Sequence, residues 1–243
     1  MAASAPIARR PVPPRERLIA ALDVPGPDAA RRLVAELGDA VWFYKLGFEL
    51  AAGDGYFALV DELVAAGKRV FLDLKLYDIP ETVAAAVRRL RGRGASFLTV
   101  HYGRRVLEAA CREKGSLGIL AVTLLTSFDG ADLRDLGYPE SISPGELVLA
   151  RARGALEAGC DGVVASPLEA RRLRAELGPG FAIVTPGIRL PEAAGDDQRR
   201  TATPRAAFEA GADHIVVGRP IRAAPDPRAA ALAIQATIGE LFG

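Results

Sequence analysis

Short apolar runs alternate with longer amphipathic stretches along most of the chain. Most runs stay apolar until their last positions, as is typical of strands that are buried on both faces of a parallel sheet. The stretches between them carry apolar residues at helical spacing and are bounded by proline and glycine. The predicted strands cover residues 17–23, 41–47, 70 to about 78, 96–101, 118–126, 162–166, 181–189 and 214–219. The predicted helices cover residues 28–37, about 55–66, 80–93, 104–114, 144–158, 168–177, 204–210 and 226–242.

This alternation predicts an α/β fold, a single-domain (β/α)8 TIM barrel. An open doubly wound sheet is disfavoured, because no G-x-G-x-x-G turn follows the first strand. The length of 243 residues fits one such barrel. We assign residues 15–243 to the barrel. Residues 1–14 contain arginine and proline but no apolar core like that of a signal peptide, so we expect a flexible tail.

The stretch that begins at Val70 combines a buried strand with charged side chains. Asp73 and Lys75 are two residues apart, so on a strand they share a face. Charges in a dry environment are costly unless they are paired or used. Asp78 follows where the strand ends, and Pro80 opens a helix in its first turn. A purely structural ion pair is possible, but two acids and a lysine in six residues favour a functional site.

Polar residues stand at the carboxyl ends of most predicted strands. Because all strands of the barrel run in the same direction, these ends meet at one mouth, where barrel enzymes place their active sites. The residues at these ends are Asp23, Lys45, Asp73, Lys75, His101, Thr126, Ser166, Arg189, Gly218 and Arg219. The polar loop of residues 190–203, which contains glycine, is a candidate lid over this mouth.

Composition excludes several classes of protein. Half of the residues are apolar (50%), 25% are charged and the net charge is +1, so we expect neither a nucleic-acid nor an anionic-membrane partner. No apolar run approaches the ~20 residues that span a bilayer, and we expect a cytoplasmic protein. The two cysteines, Cys111 and Cys160, are far apart in sequence, so we expect packing residues rather than a disulfide or a zinc site.

Lys45, Asp73, Lys75 and Asp78 make an alternating set of charges, in which mutual neutralisation keeps each group ionised. A lysine in such a set can act as a general acid towards a developing carbanion. The loops after the last two strands often bind phosphate in barrels, and Arg219 supplies a fork of donors for it. One arginine alone would be read as a solvated charge, but two at adjacent strand ends favour a phosphate.

The remaining candidates each have a structural alternative. His101 faces the mouth, yet a hydrogen-bonded structural role is at least as plausible as a catalytic one. His214 begins the last strand, on the opposite face, and is expected to be structural. Ser166 precedes a proline and either caps the next helix or contacts a ligand. Thr126 either binds substrate or simply ends a strand, and Gln198 matters only if the lid closes.

The stretch around Asp73 resembles a family signature. Its residues Asp73, Lys75, Asp78, Ile79, Pro80, Thr82 and Val83 match the DxKxxDIPxTV motif of the orotidine 5'-phosphate decarboxylase family. Further segments match in order: Ala21-Leu22-Asp23, Tyr44-Lys45-Leu46-Gly47, Leu125-Thr126-Ser127, Thr185-Pro186-Gly187-Ile188-Arg189, Asp196-Asp197-Gln198 and Val217-Gly218-Arg219. The resemblance covers nearly the whole barrel. It implies the cofactor-free, metal-free conversion of orotidine 5'-monophosphate (OMP) to UMP and CO₂, the last step of de novo pyrimidine synthesis.

The resemblance also implies a role for each matching residue. Lys75 would protonate C6 of the ring, while Asp73 would lie against the substrate carboxylate. Asp78 and Thr82 would enter the site of the neighbouring subunit, which makes a homodimer the catalytic unit. The other implied roles concern ribose (Asp23 and Lys45), the pyrimidine edge (Thr126) and phosphate (Arg189, Gln198, Gly218 and Arg219).

Two other functions compete with this one. Metal-dependent sugar-phosphate decarboxylases or aldolases of the same superfamily share the Asp-x-Lys-x-x-Asp pattern, but they carry an acidic metal ligand where this chain has Lys45. A cation at that position repels a metal, so Lys45 favours the metal-free enzyme. A non-catalytic phosphate-binding barrel is the third possibility, and the complete set of charged residues argues against it.

Overall fold

Eight parallel strands close into a barrel in sequence order, in a computed structural model that describes residues 11–190 and 202–243. The strands are β1 (Leu18–Ala21), β2 (Phe43–Gly47), β3 (Arg69–Leu76), β4 (Phe97–His101), β5 (Gly118–Val122), β6 (Gly162–Val164), β7 (Ala182–Thr185) and β8 (His214–Val217). The barrel closes because β8 pairs with β1, with Val216 opposite Ile19. The predicted TIM barrel is therefore confirmed.

The helices cover the outside of the barrel and connect its strands. They are α1 (Pro27–Leu37), α2 (Phe48–Ala51), α3 (Tyr56–Ala65), α4 (Pro80–Leu90), α5 (Arg104–Glu113), α6 (Gly130–Asp135), α7 (Pro144–Glu157), α8 (Pro167–Leu177), α9 (Pro204–Glu209), α10 (Arg219–Arg222) and α11 (Pro227–Phe242). The eight predicted helices are present, and the short helices α2, α6 and α10 were not predicted. Within the described ranges, no helix has both the length and the apolar character that crossing a membrane requires.

Several strands end earlier than the apolar runs suggested, and β5 and β7 each end four residues early. Strand β7 stops at Thr185 because Pro186 has no N–H to donate and Gly187 adopts a positive φ of 78°. Strand β5 stops at Val122 and β8 at Val217. The polar residues predicted at these strand ends therefore lie on loops or at a helix start just beyond the sheet.

The inside of the barrel has an aromatic floor. Phe43, Phe71 and Phe97 pack together, with ring centroids 5.6 Å apart for the first and last and 6.2 Å apart for Phe71 and Phe97. His214 lies against this floor, with Nδ1 at 2.8 Å from the carbonyl oxygen of Glu16 and its ring edge-on to Phe43. The expected structural role of His214 agrees with this position.

A buried ion pair joins the loops below the floor, opposite the mouth. Arg174 on α8 pairs with Asp213, and both side chains are almost fully buried. Arg174 also donates to the carbonyl oxygens of Gly211 (3.0 Å) and Phe181 (2.9 Å). Asp213 accepts the N–H of Ile183 at 2.8 Å. These contacts hold the amino ends of β7 and β8 together.

The two cysteines lie in contact, although they are distant in sequence. Cys111 is on α5, and Cys160 lies in the turn before β6. The Sγ–Sγ distance is 3.6 Å, and both thiols are free. Cys160 is buried and Cys111 partly buried, which agrees with a packing role, but the sequence did not indicate that the two residues contact each other.

Candidate active site

The carboxyl ends of the strands surround a cavity of about 290 Å³ at the mouth of the barrel. Most of the residues that the sequence placed at the mouth line this cavity. The predicted residues that line it are Asp23, Lys45, Asp73, Lys75, Thr126, Arg189, Gly218 and Arg219. Apolar side chains such as Phe71, Leu124 and Val164 complete the wall.

Four charged side chains form a row on one side of the cavity. Lys45 Nζ lies 2.9 Å from Asp23 Oδ1 and 3.3 Å from Asp73 Oδ2. Lys75 Nζ lies 2.9 Å from that same Asp73 Oδ2. Only 11% of the Lys45 side chain and 12% of the Asp73 side chain are exposed, against 40% for Asp23. The row alternates in sign, so each charge has an opposite neighbour.

The row keeps its buried members ionised. Burial opposes the charge of Asp73, but the charges of Lys45 and Lys75 and the hydrogen bonds from Lys75 and Thr99 lower the pKa of its carboxyl below the usual value. Burial likewise opposes the charge of Lys45, but Asp73 and Asp23 raise the pKa of its ammonium above the usual value. At neutral pH Asp73 is therefore a carboxylate and Lys45 an ammonium.

The backbone at Lys75 departs from an ordinary strand. Lys75 has φ of 45°, and no other non-glycine residue in the described part of the chain has a positive φ. The pairing of β3 with β4 is irregular here, since Leu72 lies opposite Leu98 and Leu76 opposite Val100. An advance of four residues along β3 thus corresponds to an advance of two residues along β4. Asp73 and Lys75 do meet as expected, but an irregular strand brings them together rather than simple alternation.

Thr99 on β4 fills the gap that this irregularity makes, and sequence reasoning missed it. Its hydroxyl accepts the N–H of Lys75 at 2.9 Å and donates to Asp73 Oδ1 at 2.9 Å. A repeated spacing could have revealed it, because Lys45, Asp73 and Thr99 each follow a floor phenylalanine by two positions. Side chains two apart on a strand share a face, so all three point into the barrel.

Gly47 is a second residue that the search for charged groups missed. A Cβ at this position would lie 3.1 Å from Lys45 Nζ and 3.4 Å from Asp23 Oδ1. Glycine therefore leaves room for the row of charges, and its place in the same strand as Lys45 was the available signal.

Asp78 and Thr82 do not line the cavity of their own chain. Asp78 is exposed and accepts the N–H of Ile79 at 2.6 Å. Thr82 is exposed in the first turn of α4. The expected charge set of Lys45, Asp73, Lys75 and Asp78 is thus wrong within one chain, where Asp23 replaces Asp78. Asp78 and Thr82 both lie on the exposed segment that follows β3, outside the lining of the cavity.

The opposite side of the cavity carries arginines. Arg189 follows β7 and donates to the carbonyl oxygen of Ile188 at 2.8 Å, while Arg219 is the first residue of α10. Arg222 also lines the cavity and was not predicted. Its spacing of three residues from Arg219 was the available signal, since residues three apart are neighbours on a helix. Gln198, and the candidate lid apart from its ends, lie outside the described residues.

Two residues whose roles the sequence left undecided lie beside the cavity rather than in its lining. Ser166 accepts the N–H of Leu168 and donates to Glu169, so it caps α8. His101 ends β4 half-buried, with its ring edge-on to Tyr77. Burial and the charge of Lys75 lower the pKa of His101 below its ordinary value, so it is neutral at neutral pH.

A barrel whose mouth combines a paired acid–base row with facing arginines has the layout of an enzyme for small anionic substrates. The comparisons with known proteins give the particular family. The model described as "Orotidine 5'-phosphate decarboxylase / HUMPS family" matches residues 16–234. The chain belongs to this family, as the sequence predicted.

The relatives agree with that assignment. The chain is 54% identical to the orotidine 5'-phosphate decarboxylase of Methylococcus capsulatus over 97% of both chains. It is 54% identical to that of Rhodopseudomonas palustris strain HaA2, over 93% of this chain and 96% of the relative. The crystal structure of the Lactobacillus acidophilus orotidine 5'-phosphate decarboxylase superposes with a TM-score of 0.80 at 36% identity, over 92% of this chain and 99% of the other. The predicted enzyme class, a carboxy-lyase, is confirmed by these names.

Proposed function

We propose that the chain is an orotidine 5'-phosphate decarboxylase that converts OMP to UMP and CO₂, the last step of de novo pyrimidine synthesis. The observation that carries the proposal is Asp73 between two lysines on one side of the cavity, with Arg189 and Arg219 on the other. This arrangement suits a substrate that is anionic at both ends.

The chemical step needs one acid beside the breaking bond. The bond between C6 of the ring and the carboxylate carbon breaks, CO₂ leaves, and the electron pair stays on C6. The Lys75 ammonium then donates a proton to C6 and forms the C–H bond of UMP. Its position beside the Asp73 carboxylate supports this role, because the negative charge of Asp73 favours the protonated form of the lysine until the carbanion forms.

Stabilisation of the carbanion by Lys75 is the larger catalytic contribution. Asp73 against the substrate carboxylate would raise the energy of the bound substrate by about 4 kcal/mol, for charges about 4 Å apart at an effective dielectric constant of about 20. Enzymes supply about 8–23 kcal/mol. Repulsion is therefore too small to account for the rate by itself, whereas a preformed ammonium acts directly on the developing charge.

The other residues position the substrate. Asp23 and Lys45 bind the ribose hydroxyls, and Thr126 binds the pyrimidine edge. Arg189, Gly218, Arg219 and Gln198 bind the phosphate. The cavity lining supports all of these roles except that of Gln198, which lies outside the described residues. Binding energy from the remote phosphate is used at the ring, as the family's mechanism implies.

The donor set supports a reaction without metal or cofactor. Lys45 lies between the two acids of the row, where the metal-dependent members of the superfamily would need a ligand. A divalent cation bound by Asp23 and Asp73 would sit against this ammonium, and like charges at such distances repel strongly. Lys45 therefore favours the metal-free reaction over a metal-dependent sugar-phosphate decarboxylase.

We further propose a homodimer in which Asp78 and Thr82 complete the partner's site. Two observations support it. Both residues are exposed and do not line the cavity of their own chain. Their neighbours Tyr77 and Ile79 are large apolar residues that are 68% and 67% exposed, as expected of a contact surface between subunits.

The test follows the ultraviolet absorbance of OMP with a chelator present. We expect turnover that is insensitive to chelation. Loss of turnover with the chelator would select the metal-dependent enzyme, and UMP binding without turnover would select a binding protein. Lys75→Ala should abolish turnover while the affinity for UMP stays largely intact. Near-normal activity of that variant would remove Lys75 from its role.

The shared site is tested by mixing two inactive variants. In a mixed dimer of Asp78→Asn and Lys75→Ala, one site has an intact Lys75 and receives an intact Asp78. Random exchange of subunits should therefore restore about a quarter of the wild-type activity. No recovery after exchange, verified by native mass spectrometry, would place Asp78 in its own chain's site or outside catalysis.

A further inference from the structure

One buried hydroxyl connects the two residues that carry the chemistry. Thr99 on β4 is fully buried, and its Oγ1 lies 2.9 Å from both the Lys75 amide nitrogen and Asp73 Oδ1. The amide can only donate, so the hydroxyl must accept there. Its single proton is then directed to the carboxylate.

We propose that Thr99 is a positioning residue that sets the geometry of Asp73 and Lys75 for the decarboxylation. This inference rests on the proposed function. Thr99 contacts the two residues rather than the reacting atoms, and it acts on both through one side chain.

The backbone of Lys75 shows why such a residue is needed. A positive φ is unfavourable for a residue with a Cβ and persists only where the surroundings hold it. The irregular pairing between β3 and β4 removes ordinary ladder contacts at this point. The hydrogen bond from the Lys75 amide to Thr99 takes the place of those contacts, so the direction of the Lys75 side chain depends on it.

The carboxylate depends on the same hydroxyl. Thr99 binds Oδ1 of Asp73, which leaves Oδ2 facing both Lys45 Nζ and Lys75 Nζ. Without the hydroxyl, the carboxylate can rotate and divide its two oxygens between the lysines. The distance between the Lys75 ammonium and the site of protonation would then vary, and catalysis is sensitive to errors of about 1 Å.

The test compares Thr99→Val, which keeps the shape and removes the hydroxyl, with Thr99→Ser, which keeps the hydroxyl. We expect Thr99→Val to lower kcat for OMP by about tenfold or more, with the dissociation constant of UMP nearly unchanged. Thr99→Ser should recover most of the loss. Thr123→Val is the matched control, because Thr123 is equally buried but its hydroxyl donates to the carbonyl oxygen of Val164.

Three results would overturn the proposal: wild-type kcat in Thr99→Val, equal losses in Thr99→Val and Thr99→Ser, or an equal loss in Thr123→Val. Thr99→Ala gives the same comparison if the valine variant does not fold. A crystal structure of the variant provides a reading that is independent of activity. Lys75 should leave its positive φ there, and an unchanged backbone refutes the role of Thr99 even if OMP proves not to be the substrate.

A second, independent observation concerns the contact between Cys111 and Cys160. Their Sγ atoms are 3.6 Å apart, and Cys111 is partly exposed. The turn that carries Cys160 is fixed against α5, because Lys114 donates to the carbonyl oxygen of Gly159 at 2.7 Å and to Asp161 at 2.8 Å. Gly159 has φ of 90°, a conformation that favours glycine.

We propose that Cys111 and Cys160 form a reversible disulfide when a low-molecular-weight disulfide such as oxidised glutathione is present. Cys111, the more exposed thiol, attacks one sulfur of the oxidant as a thiolate and releases one glutathione. Cys160 then attacks the Cys111 sulfur of the mixed disulfide and releases the second glutathione. Two protein thiols are oxidised to one disulfide, and the oxidant is reduced to two thiols.

The disulfide would lie at the amino ends of the strands, away from the mouth. We therefore expect oxidation to raise the thermal midpoint by about 5 °C or more while OMP turnover and UMP affinity stay unchanged. Peptide mapping should show a Cys111–Cys160 crosslink that dithiothreitol removes, and Cys160→Ser should retain a glutathione adduct on Cys111. A persistent glutathione adduct on Cys111 of the wild-type chain, or no modification at all, would overturn the proposal.

Discussion

Replacing Asp73 by asparagine removes the charge at the centre of the row and little else. The amide oxygen of asparagine can still accept the hydrogen bond from Thr99. Both lysines lose their contacts with Oδ2, at 3.3 Å for Lys45 and 2.9 Å for Lys75. Breaking a buried pair from one side costs about 3–5 kcal/mol. We expect the lower end, about 3 kcal/mol, because Lys45 keeps Asp23 as a partner.

The loss of unfolding free energy should depend on pH, and the structure determines whether it grows or shrinks as the pH rises. The two ammonium groups contact one oxygen, so they lie within about 6 Å of each other, where like charges repel by about 3 kcal/mol at an effective dielectric constant of about 20. In the variant, this repulsion makes the folded chain bind a lysine proton more weakly than the unfolded chain does. Deprotonation of the folded variant relieves the repulsion, so the variant's deficit in unfolding free energy should shrink as the pH rises towards the unfolded lysine pKa of about 10.4.

The wild-type chain should not show this recovery. The folded pKa of Lys45 is raised, so its contribution is fully present below the unfolded value of about 10.4 and is lost as the pH rises above it. The folded pKa of Asp73 is lowered, so its contribution is present above about pH 4 and is lost as the pH falls through the folded pKa. Between these limits Lys45 and Asp73 contribute a constant stabilisation.

Urea unfolding of both chains at pH 7, 8, 9 and 10 measures the difference. The comparison requires unchanged m-values, since a changed slope reports a change in the denatured or native state. Asp23→Asn is the control: the Asp23 side chain is 40% exposed and, within the described part of the chain, its ion pair is with Lys45, so the loss of unfolding free energy should be smaller and independent of pH in this range. A deficit of Asp73→Asn that stays constant from pH 7 to 10 would refute the repulsion argument.

Three further predictions follow from other parts of the molecule. Arg174→Met leaves Asp213 buried without the arginine that it pairs with, so the free energy of unfolding in urea should fall by about 3–5 kcal/mol, while calorimetry should find unchanged UMP affinity in the folded variant. Gly47→Ala places a methyl carbon 3.1 Å from Lys45 Nζ, so OMP turnover should slow; the wild-type rate would show that the lysine moves aside freely. Arg219→Ala should raise KM for OMP but not for unphosphorylated orotidine, and equal rises would remove Arg219 from phosphate binding.

The order of the elements and the residues at the mouth were readable from the sequence. Apolar runs alternating with amphipathic stretches fix a parallel sheet covered by helices, because no other arrangement buries both kinds of segment. Parallel strands all end at the same face, so the residues that close the apolar runs had to converge. Asp73 and Lys75 were found in this way, and so were Lys45 on β2 and Arg219 after β8, far away in the chain.

The contacts among those residues were decided only by the tertiary structure. Whether Lys45 reaches Asp73, or Asp78 reaches its own cavity, depends on strand register and on the path of the chain after β3. The irregular pairing of β3 with β4 and the hydroxyl of Thr99 were likewise invisible, since they arise between strands and not within one. The contact of Cys111 with Cys160 joins segments on either side of β5.

The sequence by itself thus determined which chemical groups meet at one end of the barrel. This was possible because the periodic pattern of apolar residues shows where each strand ends. Distances of a few ångströms between groups on different segments result from the packing of many side chains at once. They cannot be read from the pattern of residues along one segment. Only the folded molecule set the order of charges Asp23, Lys45, Asp73 and Lys75, since that order depends on how neighbouring strands are aligned.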